Sequence, residues 1–144
     1  MAVEFVVIVP AFALLLLLVS GGGQWINANG QVGTAARDAA RAASVARTYG
    51  DAQSQALAAA QNDLKNVCQG GAPALTIVPY AAGQPPQALA EDDGGFVAAQ
   101  EVRVTVTCTV SLSAFGLIGF PSAHAFKADA AAPLDTFVCR SAGC

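Results

Sequence analysis

The feature that most constrains this chain is an apolar run, Phe5 to Val19, fifteen consecutive residues with no hydrogen-bonding side chain. With Ser20 and Gly21 to Gly23 the low-polarity stretch reaches position 23. At 1.5 Å per residue that is roughly 28 Å of helix, close to the thickness of a bilayer's hydrocarbon core. A small soluble core cannot cover a helix that is apolar on every side, so residues 1–23 are predicted to span a membrane. Pro10 is tolerated in such a helix, because neighbouring groups can satisfy the freed carbonyl, and a kink is expected there. A secretory signal cut near Val19-Ser20-Gly21 is the rival reading. No basic stretch precedes the run and the helical pattern continues past the cut, so a retained helix is favoured.

Glu4 stands at the mouth of the run. A carboxylate bordering a membrane segment is costly unless it is paired or reaches the polar interface, and the residues alone favour the interface.

The following stretch, QWINANGQVGTAARDAARAASVARTY, carries a narrow heptad seam: Trp25, Ala28, Val32, Ala35, Ala39, Ala42, Ala46 and Tyr49. Arg37, Asp38, Arg41 and Arg47 fall off it. Alanine at these positions lets two backbones approach closely, which suits packing against similar helices or against the chain's own domain. Gly50 is a plausible stop and Asp51 a plausible N-cap for a second helical stretch ending before Cys68. The amphipathic segment is therefore set at residues 24–67. Gly21 to Gly23, Gly30 and Gly33 each weaken the helix by about 1 kcal/mol relative to alanine, so the segment beyond the membrane could unwind or stretch.

Residues 68–144 read as a small β-rich domain. EVRVTVTCTVSLSAF places Val102, Val104, Val106, Cys108, Val110 and Leu112 on one face and Arg103, Thr105, Thr107, Thr109 and Ser111 on the other. ALTIVPY and HAFKADAAAPLDTF are weaker strand candidates, separated from it by the loops AAGQPPQALAEDDGGF and GLIGFP. Only the alanine helix is available to cover the apolar face, so the expected fold class is α+β: a long helix packed on a small antiparallel sheet.

Cys68, Cys108, Cys139 and Cys144 show no CxxC spacing, and His124 completes no zinc set with them, so disulfides in an oxidising compartment are expected. Cys68 and Cys108 could staple helix to sheet, closing a loop of about 40 residues for roughly 4 kcal/mol. Cys139 and Cys144 could then close a short ring, although four cysteines allow three pairings.

The chemistry is sparse. Charged residues make up 12% of the chain and the formal net charge is -3, with no basic patch for nucleic acid. His124 has no motif around it and reads as a surface or edge histidine. Glu91-Asp92-Asp93 reads as a solvated turn, with a weak calcium site as its alternative. Neither a catalytic constellation nor a metal or cofactor site is found.

AVEFVVIVP with its leucine run, the helix AARDAARAASVART, the strand VRVTVTCTVSL and the loop GLIGFP together resemble the TadE-like minor pilins, or pseudopilins, of the tight-adherence (Tad) pilus system. The resemblance runs from Ala2 to about Ala130. It implies a pilin-like fold and a structural role: a single-pass membrane protein with its C-terminal domain outside the cytoplasm, able to join a pilus involved in adherence. The implied partners are other pilins, a prepilin peptidase and an inner-membrane assembly platform, besides the membrane. Family members carry a basic leader ending in glycine and a glutamate at the fifth mature position. Glu4 matches that glutamate if one residue precedes Met1, and the resemblance gives it the role of registering subunits. The alternative, a membrane-anchored or secreted binding module, would use the loops between Tyr80 and Phe96.

Overall fold

The computed structural model describes residues 2–69, 71–81, 87–111 and 123–140, with side chains from Ile8 onward. Helix α1 runs over Ala2–Ser44 without interruption at Pro10 or at the glycines. Helix α2 follows at Tyr49–Asp63. The remaining elements are β1 (Ala74–Ala81), β2 (Gln87–Ala88), α3 (Asp93–Ala98), β3 (Glu101–Ser111) and β4 (Ala123–Pro133). The four strands form one antiparallel sheet in the order β2-β1-β3-β4. The α+β reading holds.

The long strand follows its alternation. Val102, Val104, Val106, Cys108 and Val110 are all buried, and β4 adds Phe126 and Ala132 to the same layer. Leu112 and the GLIGFP loop lie outside the described residues. The C-terminal half of α1 covers β3 and β4, while α2 packs beside α1 through Ala52, Ala56 and Ala60. Two helices on one sheet face make the core, with Phe96 and Phe126 its largest members.

Three details depart from the sequence reading. The first helix ends at Ser44, not Gly50, and the cap of the second is Thr48, not Asp51: the Thr48 hydroxyl accepts from the Asp51 amide at 3.0 Å. A threonine side chain in extended backbone intercepts that free amide, so the helix begins before the glycine instead of after it. The loop before β3 also holds secondary structure, namely β2 and α3, so the sheet has four strands where three were expected. The two-residue β2 carries no alternation for sequence to show.

The third departure concerns the seam. The buried row on α1 is Ala28, Val32, Ala35, Ala36, Ala39, Ala40 and Ala43, while Ala42 is only half-buried. A heptad repeat drifts by about 20° per seven residues on a straight helix. By Ala42 the expected seam has walked off the face, and Ala36, Ala40 and Ala43 take its place. Ala46 is buried in the connection after α1, and Tyr49 belongs to α2.

Candidate functional site

The chain's chemistry lies along one helix with two surroundings. From Ile8 to Ser20 every residue of α1 is exposed except the half-buried Leu17, with Leu18 72% exposed and Phe12 60%. From Ala28 to Ala43 one side is sealed against α2, β3 and β4. No charged residue occurs between Glu4 and Arg37. Apolar side chains displayed in all directions require lipid or another apolar surface around them. Among the described residues α1 is the one helix long and apolar enough to cross a membrane. Glu4 lies in α1, but its side chain is outside those described.

The seam residues Ala28, Val32, Ala35 and Ala39 face the chain's own sheet and second helix. Their alanines allow close approach within the molecule. Trp25, still 41% exposed, marks the lower end of that contact, stacking on His124 at 4.6 Å and on Phe126 at 4.8 Å between ring centroids. His124 is an exposed residue on a sheet edge, held in an aromatic cluster. The Tyr49 hydroxyl donates to the Ile77 carbonyl at 3.0 Å. Burial, and secondarily the charge of Glu91, pushes this phenol up from its ordinary value, so it remains a neutral donor.

Cys68 and Cys108 are joined by a disulfide, their Cα atoms 5.4 Å apart, which ties the segment after α2 to the middle of β3. Cys139 is also disulfide-bonded, and Cys144 lies outside the described residues. The acidic run is not merely a solvated turn. Asp92 accepts from the Gly95 amide and caps α3, while Asp93 accepts from the Tyr49 amide at 2.7 Å, the first residue of α2. Each carboxylate sits where a helix presents unpaired N–H groups and the positive end of its dipole. No cluster of three or more metal-ligating side chains occurs among the described residues.

Arg140 is the residue that sequence reasoning missed. Its guanidinium donates to the carbonyls of Ser44 at 2.6 Å, Ala46 at 3.0 Å and Asp135, and lies over the Phe96 ring at 5.6 Å. Burial holds it below the usual arginine value, and Asp135 opposes that shift. Its signal was faint: one cation in the neutral tail VCRSAGC. A second missed group is the carboxyl of Asp63, raised first by burial and then by the charge and hydrogen bond of Asp38 across the α1/α2 contact.

Together these features define a class: a small disulfide-bonded α+β head built on the far half of a helix whose near half is apolar all round. Residues 1–41 match the family model described as TadE-like protein. The N-terminal helix is thus similar to that of TadE-like proteins, and the head beyond residue 41 lies outside the match. Comparison with curated proteins and with solved structures gave no match.

Proposed function

We propose that this chain is a minor pilin or pseudopilin that takes part in assembling a Tad-type pilus, and that its role is structural rather than enzymatic. The observation that carries the reading is the family match over residues 1–41, on the helix whose residues from Ile8 to Ser20 are exposed but for the half-buried Leu17. In this reading the apolar half of α1 anchors the precursor in the cell membrane, with the head outside the cytoplasm. It later packs among the corresponding helices of neighbouring pilins. The buried alanine row holds each head to its own helix, which leaves the surface from Ile8 to Val19 for contacts between subunits. Glu4 registers neighbours by pairing its carboxylate with a positive group near the membrane boundary, which offsets the cost of an intramembrane charge. A prepilin peptidase and an inner-membrane assembly platform are the further partners.

The binding-module alternative loses support in the loops between Tyr80 and Phe96, where Asp92 and Asp93 are already engaged by helix amides. The test is a Glu4→Ala strain examined for surface pili by electron microscopy and for adherence, with membrane levels of the protein checked by immunoblot. Loss of pili at unchanged protein level is expected. Normal piliation would remove the registering role.

A further inference from the structure

Strand β4 is the last strand of the sheet, eleven residues long, and its outer edge pairs with no strand among the described residues. Such an edge presents a row of unpaired N–H and C=O groups and is a template for an added strand. Beside its upper half lies a groove of about 420 Å³ between α1 and residues 129–133, walled on the helix side by Arg37 and Arg41. Both guanidiniums are exposed, and neither has an ion-pair or hydrogen-bond partner among the described residues. We propose that this edge and the two arginines form a docking strip for an extended acidic segment of a partner protein, one that adds to β4 as a fifth strand.

The spacing specifies the segment. Residues four apart on a helix are separated by about 6 Å along its axis, and alternate residues of a strand by about 6.8 Å. An added strand with carboxylates at positions i and i+2 therefore offers one to each guanidinium from a single face. The other face is closed to this recognition: Lys127 and Asp129 project from the opposite side of β4, with Asp129 accepting from the Thr105 hydroxyl at 2.7 Å. A second copy paired antiparallel through the same edge is the wrong occupant on geometric grounds. β4 runs the same way as α1, since His124 stacks on Trp25 near its start while residues 129–133 reach Arg37 and Arg41. Antiparallel pairing of two β4 edges would therefore point the two α1 helices in opposite directions, and two copies anchored in one membrane cannot do that.

The test uses the full chain in detergent micelles and a fluorescent synthetic peptide, TVEVEVT, with TVQVQVT as control. Binding of the glutamate peptide is expected, with the glutamine peptide weaker by about tenfold or more. The Arg37→Gln/Arg41→Gln double variant should bind the glutamate peptide no better than the control while keeping its Tm. Hydrogen exchange on the wild-type complex should show new protection at the amides of residues 127–133. The proposal is overturned by absence of binding at roughly millimolar peptide, by equal affinity for the two peptides, or by protection elsewhere. Self-association that protects the same amides without peptide would also overturn it, by making a second copy the occupant.

Discussion

Arg140 offers the sharpest quantitative test of how the head is closed. Replacing it by alanine removes three donated hydrogen bonds, two of them to carbonyls at the C-terminal end of α1 and in the turn beyond it, together with the contact over Phe96. A hydrogen bond from a charged donor contributes about 1.5 kcal/mol or more. Because the side chain is only part-buried, the freed carbonyls regain some water, and we discount the sum to about 3 kcal/mol. Lysine keeps the charge near the helix C-terminus but cannot span three carbonyls with one ammonium, so Arg140→Lys should lose about half as much. For a head near 100 residues, 3 kcal/mol corresponds to a fall in Tm of about 12 °C or more. Trp25 is the single tryptophan and packs on β4, so its fluorescence reports whether α1 stays docked on the sheet. Urea titrations of the wild type, Arg140→Ala and Arg140→Lys in micelles would give the three free energies. An alanine variant within about 0.5 kcal/mol of wild type, or a lysine variant equal to it, would refute the argument that the fork holds the helix end.

Three further outcomes are expected. Replacing Cys68 and Cys108 by serine should cost about 4 kcal/mol through the 40-residue separation that the bridge closes, measured by urea denaturation against the oxidised wild type. Gly95→Ala should destabilise by about 2 kcal/mol or more, since a Cβ there would run into the Ala90 carbonyl, whereas alanine at Gly22 or Gly23 meets open space and should not destabilise the fold; thermal denaturation distinguishes them. The raised carboxyl of Asp63 means that the folded state holds its proton more tightly than the unfolded chain does. Its stabilising contribution is therefore complete below about pH 4 and is lost as pH rises through the folded value. Asp63→Asn should accordingly raise Tm at neutral pH, by a margin that shrinks on acidification, and a margin independent of pH would contradict the pairing with Asp38.

The sequence made the long elements legible because each has one period and one covered face. Alternation over Glu101–Ser111 gave the central strand, its buried side and the inward Cys108, and the apolar run gave the exposed half of α1. Where one period resembles another, the reading slipped: seven-residue spacing and 3.6-residue spacing agree at Val32 and Ala39 and part at Ala42 and Ala43. Long-range capping was invisible. Nothing local marks Asp93 as the partner of an amide 44 residues earlier, or Arg140 as the closure of a helix end 96 residues away. The Thr48 cap is a local signal, a hydroxyl three residues before the amide it accepts from, but Gly50 between them resembles a helix stop and points to Asp51 instead.

Because β4 lies alongside α1 and points the same way, a pull on the near end of the helix does not peel the sheet open one bond at a time. It slides the buried alanine row along the sheet, so that contacts from Ala28 to Ala43 resist together. The Arg140 fork holds the far end of that surface, and the Cys68–Cys108 bridge ties the segment after α2 to β3. The head is thus arranged as a joint loaded in shear along the axis on which an anchored helix would be drawn.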